Sequence, residues 1–419
     1  MSQSAPPHSH DEIDSPRPTT LGTVRLRGGV AARTDTRSRA RTDEPNQGRG
    51  DARRAPATGK NPLTKIRIER AATLRPVPDA GGLGFGRVFT DHMFACDYRQ
   101  KDGSAGWSDA RITAYAPLNL DPAAAGLHYG QAMFEGMKAY RGDDGKVRIF
   151  RIDRHIQRLA RGAARLCMPA PDAAMMHEAL TTLVRLEERW IPERPGTALY
   201  LRPTLIATEP FLGVRPAREY LFFIIASPVA AYFGATAGPL RIKIEERYVR
   251  AAPGGLGAVK AAANYAASLR AAEEARAEGF AQVLWTDALK HSAIEEVGTM
   301  NVFVHIGDEI VTPPLRGTIL AGITRDSVIT LLKRDGHEVH ERTITAEEIL
   351  EARRCGRLRE MWGTGTGASI APIGELAWRG EKIVVGDGGE GPLARRLMPK
   401  LREIQTGMAP DPDGWMTEV

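Results

Sequence analysis

The sequence predicts an α/β protein built in two halves. Three observations point there: short apolar or alternating strands interleaved with amphipathic helices, a small-residue break near the middle, and 419 residues, enough for more than one core. Residues 1–60 stand apart as a disordered basic tail. They hold no Phe, Tyr or Trp and are dense in Arg, Pro, Ser, Thr, Gly and Ala, too little apolar area to offset the entropy of ordering. From Asn61 the pattern changes. Lys146 to Phe150 alternates as a strand, and Asp153 to Leu166 is amphipathic with helical period. The apolar strand Tyr220 to Ala226 precedes Ser227-Pro228 and the small residues Gly234 to Gly238, which read as a linker. The expected organisation is therefore a first α/β domain over 61–227, a linker over 228–239 and a larger domain over 240–419. In that second half the pattern gives a strand at Leu240 to Glu245, a Gly-rich loop at Pro253 to Gly257 and a helix from Asn264 to Glu278. Strands at Gln282 to Trp285 and Asn301 to Ile306 follow, then helices at Thr324 to Arg334, Ala346 to Arg353 and Pro392 to Gln405.

Charge and composition exclude several classes. The tail carries eleven Lys/Arg against seven Asp/Glu, most of the net charge of +6, so the body is nearly neutral. The tail arginines are interrupted by acids, with no aromatic residues for base stacking, and no nucleic-acid partner is expected. No run of about 18 apolar residues suggests a membrane span. The tail lacks a secretory apolar segment, and its early acids Asp11, Glu12 and Asp14 argue against a transit peptide, so the cytoplasm is the expected location. Cys96, Cys167 and Cys355 are far apart and form no metal-ligand pattern; no metal site is expected.

Lys260 is the residue whose surroundings most suggest chemistry. It sits in Gly254-Gly255-Leu256-Gly257-Ala258-Val259-Lys260-Ala261-Ala262-Ala263, where every other side chain is small or apolar. Desolvation there would lower its pKa and make the amine nucleophilic enough to hold an aldehyde as a Schiff base. A lysine snorkelling from a strand edge would look similar, so the downstream pattern matters. Thirty-six residues later comes Glu296, in Ile294-Glu295-Glu296-Val297-Gly298-Thr299-Met300-Asn301; Glu295 beside it is an open alternative. Then Arg316-Gly317-Thr318-Ile319-Leu320-Ala321-Gly322-Ile323-Thr324-Arg325 ends a loop at a helix start, where backbone N–H groups can receive a phosphate.

In that order, together with Tyr129-Gly130-Gln131-Ala132-Met133-Phe134-Glu135-Gly136, Tyr200-Leu201-Arg202-Pro203 and Gly363-Thr364-Gly365-Thr366-Gly367, the chain resembles the branched-chain aminotransferases of the fold-type IV pyridoxal-phosphate enzymes over residues 62–408. The resemblance implies a small α/β domain and a larger domain with a β-barrel-like core flanked by helices. It implies pyridoxal 5′-phosphate as cofactor and transfer of the amino group between L-leucine, L-isoleucine or L-valine and 2-oxoglutarate. It implies Lys260 as the residue that carries the cofactor and moves the proton, Glu296 on the pyridine nitrogen and Tyr265 on the ring oxygen. Arg158, Ile323, Thr324 and Thr366 would serve the phosphate, with Leu320 against the ring and Arg250 nearby. Tyr129 and Phe134 would wall the side-chain pocket, Tyr200 and Arg202 would organise the carboxylate turn, and Thr366 and Gly367 would form it. Amino acids and 2-oxo acids are the implied partners, and a homodimer or larger assembly the implied state. A D-amino-acid transaminase or an aminodeoxychorismate-type lyase of the same fold would share the lysine, the glutamate and the phosphate cup. Ala368-Ser369-Ile370-Ala371 stands where some animal relatives carry a CxxC pair, so thiol regulation is not expected.

Overall fold

Two nine-stranded mixed sheets organise the chain in the computed structural model, which describes residues 65–419 except 231 and 233–237. The tail and half of the linker expected over 228–239 lie outside those residues. The first sheet runs in the order Arg67–Ile68, Ser104–Ala114, His92–Lys101, Glu219–Val229, Ala198–Ala207, Met137–Arg141, Val147–Phe150 and Met416–Glu418, with Ala132–Phe134 pairing the central strand Ala198–Ala207. The C-terminal strand thus returns to the first sheet. The second sheet closes on itself. Strands Ile294–Val297, Gln282–Thr286, Leu240–Ile244, Ser369–Trp378, Leu358–Gly365 and Met300–Ile306 pair in sequence, and the last pairs back with the first. The closed six-strand ring is the barrel-like core that the resemblance implies, and closure removes its exposed edges.

Two prolines show how the first sheet tolerates its sequence. Pro203 lies inside the central strand, where a missing N–H would normally break a ladder. It faces the gap between Ala132–Phe134 and Met137–Arg141, and its carbonyl accepts from Glu135 N at 2.8 Å. Pro228 lies near the end of the strand Glu219–Val229, beyond the reach of its neighbour His92–Lys101, whose pairing stops at Phe94 with Ile224. The strand therefore runs through Pro228, two residues past the expected end of the first half.

The helices lie close to their expected places: Ile152–Arg165, Ala262–Ala277, Ile323–Arg334, Ala346–Arg354 and Pro392–Thr406. The helix Ala173–Leu186 is an addition, opened by Asp172, whose carboxylate accepts from Ala174 N and Met175 N. One apolar cluster fills the first half and a second fills the barrel. A third joins them, bringing Tyr140, Phe150 and Tyr200 together with Phe303, Leu331 and Trp362, the rings of Phe303 and Trp362 stacked 5.3 Å apart. No helix among the described residues is long and apolar enough to cross a membrane.

Candidate active site

Lys260 is placed from both sides. Its carbonyl accepts from Phe134 N at 3.1 Å beside the isolated bridge of Met133 with Ala261, and the helix Ala262–Ala277 starts two residues later. Asn264 on that helix donates to Leu256 O and Val259 O, both at 2.8 Å, and so ties the Gly-rich loop to the helix. The amine enters a cleft of about 940 Å³, open mouth included, and donates to the Tyr265 hydroxyl at 2.7 Å. Burial first, and then the neighbouring Arg158 charge, bring the Lys260 pKa down to about 8, while burial pushes Tyr265 up to about 12.

Most of the residues singled out in the sequence line this cleft. Arg158, Ile323 and Thr324 line it together, where Gly322 opens the helix Ile323–Arg334 with no side chain capping its first amides among the described residues. A Cβ on Gly322 would collide with the Asn301 side chain, so only glycine lets this helix end approach so closely. Phe134, Tyr200 and Arg202 form a wall: Arg202 donates to the Tyr200 hydroxyl at 3.0 Å, and its guanidinium lies 4.3 Å from the Phe134 ring centroid. Thr366 and Gly367 lie on the hairpin loop between Gly365 and Ser369, and Leu320 completes the floor.

Of the two adjacent glutamates, Glu296 borders a small space that shares Tyr265 and Leu320 with the cleft. Its carboxylate accepts from Leu320 N at 2.9 Å and lies 3.1 Å from Arg250 Nε. Burial raises its pKa against the pull of Arg250. Glu295 takes the opposite face of the strand and accepts from the Thr318 hydroxyl at 2.5 Å. Both sit within the strand Ile294–Val297, just ahead of the apolar strand Met300–Ile306.

Tyr129 does not join the cleft of this chain. It ends the five-residue helix Ala125–Tyr129, is 43% exposed and donates to Leu212 O at 2.5 Å.

Three neighbouring side chains, Glu135, His155 and Thr364, went unselected in the sequence. Glu135, 1% exposed, accepts from Arg158 Nε and Nη2 at 2.7 and 2.8 Å and pairs with His155 Nδ1 at 2.8 Å. Burial alone would raise its carboxyl; Arg158 and His155 outweigh that and hold it well below the usual carboxylate range. Thr364 lines the cleft with a buried hydroxyl, and neither it nor the buried Arg202 Nε has a hydrogen-bond partner among the described residues. These orphaned polar atoms, the uncapped helix end and the three cations Lys260, Arg158 and Arg202 fit a phosphorylated aldehyde together with a carboxylate substrate.

The chain matches the family described as Amino-transferase class IV over residues 132–376. It is 48% identical over 354 residues to Branched-chain-amino-acid aminotransferase 2 of Bacillus subtilis (strain 168), covering 84% of this chain and 97% of that one. It is 44% identical over 361 residues to a probable branched-chain-amino-acid aminotransferase of Streptomyces coelicolor, with 84% and 99% covered. Among solved structures, the Escherichia coli branched-chain amino acid aminotransferase superposes with a TM-score of 0.65 at 27% identity, covering 78% of this chain and 98% of that one. The T.th. branched-chain amino acid aminotransferase with pyridoxamine 5′-phosphate does so with a TM-score of 0.63 at 27% identity, covering 77% and 97%.

Proposed function

The chain belongs to the class IV aminotransferases, and from that premise we infer that it is a pyridoxal-phosphate-dependent branched-chain amino-acid transaminase. It moves the amino group reversibly between L-leucine, L-isoleucine or L-valine and 2-oxoglutarate. The observation that carries the reading is the buried amine of Lys260, held against Tyr265 between the uncapped helix end at Gly322 and the wall of Phe134, Tyr200 and Arg202.

Bound pyridoxal 5′-phosphate supplies an aldehyde for the lysine and an electron-withdrawing ring that acidifies the substrate's α-C–H bond. The residues do the rest. Lys260 Nζ anchors the cofactor and, once displaced, carries the α-proton. Arg158, Thr324 and the first amides of the helix Ile323–Arg334 hold the phosphate, with Thr366 beside it. Glu296, kept beside Arg250, presents a carboxylate to the ring nitrogen, and Tyr265 donates to the ring oxygen. Leu320 packs on the ring. Tyr200, Arg202 and the loop at Thr366 and Gly367 receive the α-carboxylate, while Phe134 presents an apolar face to the branched side chain. With Arg202 as its cation, the same pocket takes the second carboxylate of 2-oxoglutarate.

The working unit in this reading is a homodimer or larger homo-oligomer in the cytoplasm, with a first domain over 61–227 and a second over 240–419. The apolar side chains of Leu127, Tyr129, Leu212 and Val214, exposed around the Tyr129–Leu212 hydrogen bond, support an assembly in which Tyr129 is covered. The test is glutamate formation by purified protein from 2-oxoglutarate with L-leucine, L-isoleucine, L-valine or D-alanine. Turnover with the branched L-amino acids is the expected result; turnover confined to D-alanine, or product formed without 2-oxoglutarate, would move the activity to another enzyme of the same fold.

A further inference from the structure

Lys138 is a buried cation that the mechanism leaves unused. It lies on the strand Met137–Arg141, paired with Tyr200 on the central strand, and is 6% exposed. Its ammonium donates to Gly367 O at 2.9 Å, and among the described residues no carboxylate lies within ion-pair distance. A buried ammonium without a counter-ion is costly, and burial brings this one down to a pKa of about 8. Packing alone would be better served by an apolar side chain of the same length. Something must compensate for the charge when the cleft is in use.

The position of Gly367 indicates what that is. It sits in the loop Thr366–Gly367–Ala368, which joins Gly365 to Ser369 and lines the cleft. In a planar trans peptide the C=O and the following N–H point in opposite directions. A carbonyl fixed on Lys138 therefore turns the Ala368 amide away from the lysine, and the nearby positive charge polarises that amide into a stronger donor.

We propose that Lys138 is a positioning residue for the substrate carboxylate, its ammonium pinning Gly367 O so that the Ala368 amide of the same peptide is presented to an anion in the cleft. The proposal rests on the transaminase reading and deepens it. Every amino acid and 2-oxo acid that reacts carries this carboxylate, so Lys138 acts on both halves of the reaction, whereas residues touching the branched side chain act on one.

The test compares two unreactive ligands of one shape, 4-methylpentanoate and its neutral amide, binding to holoenzyme by calorimetry. Lys138→Met, which keeps the length and removes the charge, is expected to weaken the carboxylate about tenfold and to leave the amide within about twofold. Lys138→Arg is expected to recover most of the carboxylate affinity. Equal weakening of both ligands, or of neither, in Lys138→Met holoenzyme that keeps its visible absorbance would overturn the proposal. Failure of wild-type holoenzyme to bind 4-methylpentanoate would instead bring down the reading of the cleft, and this inference with it.

Discussion

Replacing Glu135 by Gln keeps the shape of the side chain and removes the carboxylate bonded to Arg158. The arginine, 7% exposed, then keeps its charge in a buried site with one hydrogen bond, to Ala321 O at 3.0 Å, and an amide where a carboxylate stood. Breaking a buried pair by deleting one partner costs about 3–5 kcal/mol, because the remaining charge is left uncompensated. That is the loss expected in urea unfolding of the cofactor-free protein at pH 7. With the phosphate held by Arg158 as proposed, the holoenzyme should regain part of the compensation, so the loss there is expected to be smaller and the cofactor to stabilise the variant more than the wild type. The pH dependence has a definite sign. Glu135 titrates far below its ordinary 4.5 in the folded state, so its contribution is fully present above about pH 4.5 and is lost as the pH falls further. The gap between wild type and Glu135→Gln should therefore narrow in acid. A loss below about 1 kcal/mol at pH 7, or a gap that stays constant from pH 7 to pH 3, would refute the argument that this carboxylate is ionised and holds Arg158 in place.

Gly136→Ala places a methyl group against the Tyr200 hydroxyl and ring; overpacking of this kind costs about 1–3 kcal/mol, so kcat/KM for L-leucine should fall roughly tenfold or more while bound cofactor is retained. At pH 7.5 an amine with a pKa of about 8 is neutral in roughly a quarter of molecules, against about one in a thousand for an ordinary lysine. Capture of pyridoxal 5′-phosphate by apoprotein should therefore rise to a plateau through about pH 8, and a rate still climbing tenfold per unit at pH 9.5 would contradict the buried setting of Lys260. Glu296→Gln should remove most turnover, whereas Glu295→Gln, which loosens only the bond to Thr318, should keep most of it; the reverse order would transfer the role to Glu295.

The helix Ile152–Arg165 was legible because it presents an apolar stripe of helical period, and it begins one residue before the stretch expected from that stripe. Barrel closure was not legible from periodicity, since it depends on pairing Glu296 with Asn301 in one hairpin and on bringing Leu240–Ile244 beside Ser369–Trp378, more than a hundred residues away. Lys138 was missed for a related reason. Alternation assigns a charged residue in a strand to the solvent side, but all four residues from Met137 to Tyr140 are buried, because this strand is covered on both faces. A charged residue within an otherwise apolar buried strand was the available signal, and the Phe134-Glu135-Gly136 run drew attention to its aromatic residue instead. Tyr129 shows the converse: Phe134 and Gly136 of the same motif line the cleft, yet a short helix leaves Tyr129 exposed.

The charges explain why these side chains lie where they do. Lys260, Arg158 and Arg202 line one cleft, Lys138 holds the carbonyl of its Gly367 loop, and every reactant that enters carries a carboxylate. Crowding cations would normally hold anions too firmly for release, but of these four only Arg158 is neutralised by a carboxylate at bidentate distance among the described residues. Lys260 is instead brought down to about 8, so a fraction of it is uncharged near neutral pH. For Lys260 the second cause of that lowering, after burial, is Arg158 itself. The guanidinium suited to hold a phosphate thereby also keeps the nearby amine in the neutral form that attacks an aldehyde, and Glu135, by fixing where that guanidinium sits, sets the strength of both effects.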